Sequence, residues 1–338
     1  MLGSAARSLA EMGQAGQREK IILVTGAGGF VGTSLVSEMT RRRIPHRAVT
    51  RRGQGSFVIP NIDKQTDWTA ALEGVGVIVH LASRAQCDEM ARHDEAQIQR
   101  NDVDATLNLA RQAARAGVKR FVFISSIKVN GEASSPGRPF TAADQPNPKN
   151  PYAQAKLDSE AGLFALSRDT GLEVTVIRPP LVYGPGVKAN FGTMMQWIDR
   201  GIPLPLGAVS NKRSFVYVGN LVDLIIAAAE HSRAAGEVFT VSDGEDMSTS
   251  ELYRRLAQAL GRKSWVLSCP APLLKFGATM LGRRGVADRL IDSLQVDCSK
   301  TREILGWMPP IDVNDGLRQT ARSFRQAELA LDPIAGSA

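Results

Sequence analysis

The chain is poor in residues that staple or ligate. Its 338 residues include three cysteines, at Cys87, Cys269 and Cys298. They are odd in number and far apart, which excludes a disulfide framework and points to a reducing compartment. No cysteine or histidine spacing suits a metal ion, so none is expected. No apolar run approaches the ~18 residues of a membrane span. The short apolar stretches at 221–229 and 273–281 read as core or cap helices. Residues 1–19 are small and polar and read as a loose tail rather than a secretory signal. A cytoplasmic protein is expected. The chain shows no internal repeat, no low-complexity segment and no nucleic-acid module, although its formal net charge is +7. The densest basic clusters, at 41–43 and 51–52, suit a phosphate-rich small ligand without nucleic acid.

What is present is an ordinary folded composition, 43% hydrophobic and 22% charged, with a regular alternation. Ile21-Ile22-Leu23-Val24 is a short apolar run that reads as a buried parallel strand. Helical spacing follows from Phe30 to Arg43. Further strands are expected at 48–50, 77–81, 121–124 and 173–177, with a long helical segment through 107–116. Strands alternating with helices predict right-handed βαβ units and a doubly wound parallel sheet of the α/β class. After Arg178, prolines and glycines mark irregular chain. Helix and strand resume at 221–231 and 238–241. Helices at 250–260, 272–281 and 287–294 suit a smaller, mostly helical C-terminal region.

Thr25-Gly26-Ala27-Gly28-Gly29-Phe30-Val31-Gly32 joins the first strand to the first helix. Gly26 permits a tight turn, Gly29 lets backbone approach a pyrophosphate at the helix N-terminus, and Gly32 allows close packing. With strand and helix in register, this predicts a dinucleotide site. A carboxylate at the end of the second strand would bind a ribose 2′-hydroxyl. This chain has Thr50-Arg51-Arg52 instead, and arginine pairs with a 2′-phosphate. NADP(H) is therefore expected, with NAD(H) open.

Asn150 reads as a helix N-cap and Pro151 as the first helical residue. Tyr152 and Lys156 then share one helical face. An ammonium beside a phenol favours the phenolate and prepares it for proton exchange. Ser126 ends a strand, where its hydroxyl can meet a substrate oxygen; Ser125 is adjacent.

Over about residues 20–325 the chain resembles the extended short-chain dehydrogenase/reductases of the nucleotide-sugar epimerase/dehydratase family. The resemblance implies a Rossmann fold with a substrate-binding cap. The NAD(P)-binding domain would span 20–180, with 213–243 returning to it. The cap would comprise 181–212 and 244–330, and a tail 331–338. It implies Tyr152 as acid/base, Lys156 as its electrostatic partner and ribose ligand, and Ser126 as substrate hydrogen-bonder. Asn61-Ile62 match an adenine-contacting pair, and Leu81-Ala82-Ser83 a nicotinamide-side loop. Asn190, Arg213 and, by a looser match, Arg289 match diphosphate ligands. Arg178-Pro179-Pro180 with Val182-Tyr183-Gly184-Pro185 resembles the family's strand-to-loop signature. The family often dimerises through two helices that include the Tyr-Lys segment, so a homodimer is expected. Three positions depart from the pattern. Asp102 and Leu181 stand where asparagine is common, and Asn130 where tyrosine is usual.

Two reactions share this machinery. A 4-keto reductase consumes reduced cofactor at each turnover, whereas a 4-epimerase keeps one cofactor. Thr50-Arg51-Arg52 and the string Ser125-Ser126-Ile127-Lys128-Val129-Asn130-Gly131-Glu132 favour the reductase. They resemble enzymes that reduce a UDP-4-keto-6-deoxy-N-acetylhexosamine for bacterial surface polysaccharide. The alternatives are a UDP-glucose or UDP-N-acetylglucosamine 4-epimerase and a non-catalytic NADP(H)-binding scaffold. A 4,6-dehydratase lacks its carboxylate pair here.

Overall fold

The computed structural model describes residues 21–53, 55–83, 95–135, 137–270 and 290–331. Most of the expected tails, the helix expected at 272–281 and the start of that expected at 287–294 lie outside these residues.

Among the described residues seven strands form one sheet: β1 (Ile21–Thr25), β2 (His46–Thr50), β3 (Phe57–Val58), β4 (Val75–His80), β5 (Arg120–Ile124), β6 (Glu173–Arg178) and, from later in the chain, β9 (Val238–Thr240). Their order is β3-β2-β1-β4-β5-β6-β9 and every pairing is parallel. This is the expected doubly wound sheet. Its order reverses between β1 and β4, where such sheets open a crevice at their carboxyl ends.

Alternation within the strands explains why helices cover both faces. Ile22 and Val24 of β1, Val79 of β4, Val122 and Ile124 of β5 and Ile177 of β6 join one apolar cluster. Leu23, Ile78, Phe121, Phe123, Val174 and Val176 point the other way into a second. Successive side chains leave a strand on opposite sides, so a strand apolar throughout must be buried twice. The first face is covered by α1 (Phe30–Arg41) and α6 (Val218–Glu230), through Leu35, Met39, Leu221 and Ile225. The second is covered by α3 (Glu95–Arg115) and α4 (Pro151–Thr170), through Leu109, Ala113 and Leu163, with the short α2 (Thr69–Leu72) beside them. Each fully buried Leu or Phe contributes roughly 1.5–3 kcal/mol by leaving water.

The second layer of the molecule is smaller. β7 (Leu181–Tyr183) and β8 (Phe215–Tyr217) form a separate parallel pair that the sequence pattern does not announce. Around them lie α5 (Ala189–Asp199), α7 (Thr249–Ala259), α8 (Ser299–Leu305) and α9 (Val313–Leu331). Their buried faces, including Phe191, Met195, Leu252, Leu256 and Leu317, merge with the first apolar cluster. The cap elements thus continue the sheet's own core. No helix among the described residues is long and apolar enough to cross a membrane.

Candidate active site

The crevice begins at the turn after β1. Gly26 has φ +69°, a left-handed conformation that glycine adopts without strain. A Cβ on it would stand 2.8 Å from the backbone N of Ala82. A Cβ on Gly32 would stand 2.1 Å from the carbonyl oxygen of Gly26. These two glycines are required by the protein's own packing. Gly28 and Gly29 are exposed, and a Cβ on Gly28 would meet nothing nearer than Thr50 Cγ2 at 3.8 Å. Gly29 is the N-cap of α1 and brings no side-chain cap, and the first turn holds no acidic residue. The first amide groups of α1, on Phe30 and Val31, are left to an outside acceptor, while their side chains pack toward the core. At the end of β2 the Thr50 hydroxyl is buried without a hydrogen-bond partner. An uncapped helix start and an orphaned hydroxyl flanking one crevice fit a dinucleotide. Arg51 and Arg52 follow on an exposed turn. Asn61 is exposed, and Ile62 packs against the second cluster.

A buried strut stands behind this turn. His80, at the end of β4, is held between Thr25 Oγ1 at 2.8 Å on Nδ1 and Thr106 Oγ1 at 3.1 Å on Nε2. Thr106 spends its proton on the carbonyl of Asp102, at 2.8 Å. The histidine must then donate from Nε2 and accept at Nδ1. Thr25 in turn accepts from the Ala82 amide at 3.4 Å, and the Leu81 amide donates to the Thr25 carbonyl at 3.3 Å. Burial, helped by the charge on Lys156, pushes the His80 pKa down to about 3. It is a neutral spacer that fixes the Leu81-Ala82-Ser83 loop. Ser83 Oγ donates to Asp102 Oδ2 at 2.7 Å.

The acid–base residues lie one strand further along. Asn150 caps α4, its side chain accepting from the Ala153 amide at 2.9 Å, with Pro151 first in the helix and Gly171 in the left-handed conformation after its end. Tyr152 and Lys156 thereby face the end of β5. Lys156 Nζ donates to the Ile124 carbonyl at 3.1 Å and lies 4.7 Å from the centre of the Phe123 ring. Burial lowers its pKa to about 8, against the opposing carboxylates of Asp102 and Glu160. Tyr152 is half-buried, and its hydroxyl hydrogen-bonds Ser126. Its pKa is pushed up to about 12, chiefly by burial; Ser126 opposes that and Asp102 adds to it. The expected lowering of the phenol is therefore not produced by the chain alone, because desolvation outweighs the Ser126 hydrogen bond.

The structure separates the paired serines. Ser125 is buried and hydrogen-bonds Glu160, whereas Ser126 is half-exposed and faces Tyr152. Glu160 Oε1 accepts Arg178 Nε at 3.0 Å and Glu160 Oε2 accepts Arg178 Nη2 at 2.5 Å, while Arg178 Nη1 reaches Asn130 Oδ1 at 3.0 Å. This buried network anchors α4 to β6 one turn beyond Lys156. Sequence reasoning missed Glu160 and His80 as supports. The signal for Glu160 was available: it stands at i+4 from Lys156 on the same face.

A family model described as "NAD dependent epimerase/dehydratase family" matches residues 22–242. The chain belongs to this family. It is 44% identical over 317 residues to a UDP-glucose 4-epimerase of Vibrio cholerae, across 91% of this chain and 96% of the relative. A UDP-glucose 4-epimerase of Thermotoga maritima, solved with UDP-glucose, matches with a TM-score of 0.74 at 24% identity, over 91% of this chain and 99% of that one. A UDP-glucuronic acid 4-epimerase of Bacillus cereus, solved with NAD, matches with a TM-score of 0.72 at 20% identity, over the same 91% and 99%. At those identities the two structures speak for the fold.

In this epimerase/dehydratase family member the three residues expected to meet a diphosphate are less uniformly placed. Asn190 lies in the first turn of α5, its side chain outside the described atoms. Arg213 is largely buried and donates from Nη1 to the Asp292 carbonyl at 2.8 Å. Burial lowers its pKa, and the carboxylates of Asp292 and Glu132 oppose the shift. Arg289 lies outside the described residues.

Proposed function

We propose that the chain is a 4-epimerase of UDP-hexoses, of the UDP-glucose/UDP-galactose kind. The meeting of Ser126, Tyr152 and Lys156 at the end of β5, two strands along the sheet from β1 and its glycine turn, carries the C4 redox chemistry that an epimerase and a reductase share. The Vibrio relative supports the epimerase, which the sequence alone had placed second to a 4-keto reductase.

When bound, the oxidised dinucleotide supplies the reversible oxidation of the sugar carbon and a positive charge beside Tyr152. Gly28, Gly29 and the amides of Phe30 and Val31 would hold its diphosphate, and Leu81, Ala82 and Ser83 would line its nicotinamide side. Tyr152 takes the proton from the C4 hydroxyl and returns it to the same oxygen. Lys156, fixed on the Ile124 carbonyl, keeps an ammonium beneath the phenol. Ser126 accepts the Lys128 amide at 3.3 Å, which orients its own O–H toward the reacting oxygen. Arg213 and Asn190 are our candidates for the UDP diphosphate.

The reductase remains the second reading because the end of β2 carries Arg51 and Arg52, which suit a 2′-phosphate, although the family is NAD dependent. Incubating the purified protein with UDP-glucose and no added cofactor decides between them. UDP-galactose formation supports the epimerase. Oxidation of one NADPH per molecule of UDP-4-keto sugar, with no UDP-galactose formed, overturns it. Binding of NAD and NADP to the wild type and to Arg51→Ala tests the role of the arginines; equal affinities throughout would remove it.

A further inference from the structure

An ion pair beside the acid–base residues is used by none of the steps above. Lys128 is the middle residue of the 3-10 turn Ile127–Val129, whose N-cap is Ser126. Ile127 and Val129 are buried, so Lys128 is the residue of the turn that faces out. Its Nζ stands 3.7 Å from Glu132 Oε1, and both side chains are 35% exposed. The same Glu132 oxygen accepts a hydrogen bond from Asn150, the cap of the helix whose second residue is Tyr152. Glu132 also helps keep the charge on Arg213. The pair is thus tied by its backbone to Ser126, by its carboxylate to the start of the Tyr152 helix, and by its field to Arg213.

Stability does not account for it. A half-exposed lysine–glutamate pair contributes roughly 0–1 kcal/mol. The separation of 3.7 Å is beyond a good hydrogen bond, so an arriving oxygen can take the ammonium without breaking a strong contact. Chemistry narrows the ligand. An ammonium only donates and a carboxylate only accepts, and side by side they match adjacent hydroxyl groups. A diphosphate would be repelled by the carboxylate and is better matched by a guanidinium fork.

We propose that Lys128 is a specificity-determining residue of the sugar subsite, donating hydrogen bonds to oxygen substituents of the pyranose held at Ser126 and Tyr152, with Glu132 orienting it and accepting from a neighbouring hydroxyl. This rests on the nucleotide-sugar reading above.

The test is calorimetric binding of UDP and of UDP-glucose to the NAD-loaded full chain, as wild type, Lys128→Met and Lys128→Arg. In Lys128→Met, affinity for UDP-glucose should fall about tenfold or more, as expected for a lost charged hydrogen bond. UDP affinity should stay within about twofold, which also reports that the variant is folded. Lys128→Arg should recover part of the loss. An unchanged UDP-glucose affinity in Lys128→Met overturns the proposal and leaves the nucleotide-sugar reading intact. So does an equal loss for UDP and UDP-glucose, which would place Lys128 on the diphosphate. A wild type that binds neither ligand overturns both.

Discussion

At the scale of single residues, the site turns on how burial acts on Tyr152 and Lys156. Desolvation raises the phenol to about 12 and lowers the ammonium to about 8. Near neutral pH the chain alone therefore holds a protonated tyrosine above a protonated lysine, and an added positive charge must do the activating. Tyr152→Phe removes the proton carrier and little volume. Its kcat should fall roughly 10²–10⁴-fold, the usual contribution of a positioned acid/base. Its KM for UDP-glucose should change little, and a stopped assay of UDP-galactose measures both. A variant that kept full turnover would remove Tyr152 from the chemistry. Of two adjacent serines, Ser126 is the one expected from its place at the strand end and from the family resemblance. The structure adds that Glu160, 35 positions after Ser125, captures Ser125 and leaves Ser126 beside Tyr152.

At the scale of elements, the glycine turn and the histidine strut decide whether β1, β4 and their neighbours keep the crevice open. Gly32→Ala puts a methyl 2.1 Å from the Gly26 carbonyl and 2.8 Å from Ala27 Cα, both backbone. Neither can step aside. We expect a loss of about 1–3 kcal/mol in urea unfolding, the range for forced overpacking, together with weaker dinucleotide binding. Gly28→Ala, with open space around its Cβ, should leave stability within roughly 0.5 kcal/mol and weaken binding alone. His80 sets a pH limit. Its folded pKa of about 3 lies below its ordinary value of 6.5, so the unfolded chain binds the proton first as pH falls. Its contribution to stability is complete above about 6.5 and declines toward pH 3, by up to about 1.4 kcal/mol per pH unit. Urea midpoints measured between pH 7 and pH 4 should fall less steeply in His80→Gln than in the wild type. Parallel slopes would show that the acid sensitivity arises elsewhere.

At the scale of the whole molecule, the shared apolar core joins the cap to the sheet, and polar nodes join the separate segments of the cap to one another. Asn211 is the clearest. Its amide nitrogen reaches Thr249 Oγ1 and the carbonyls of Leu290 and Asp292, each at 3.1 Å, and its oxygen accepts the Thr249 amide at 3.0 Å. Asn211→Ala leaves the buried Thr249 amide without its acceptor and should cost about 1–3 kcal/mol. Amide exchange should quicken at 290–296, where Arg213 and Asp292 meet, and the KM for the sugar nucleotide should rise more than kcat falls. Exchange unchanged in that segment would mean that the cap is held elsewhere. The sequence by itself determined the doubly wound sheet, because unbroken apolar strands alternating with amphipathic helices have few other ways to bury both faces. It also determined the glycine turn and the Tyr152–Lys156 face, since these depend on spacing within one turn and one helix. Only the tertiary structure decided that Ser126 is the accessible serine and that burial holds Tyr152 protonated. It alone brought Lys128 beside Glu132, and Glu132 to the cap of the Tyr152 helix. Those outcomes depend on desolvation and on partners far apart in the chain, and neither has a local signature in the order of residues.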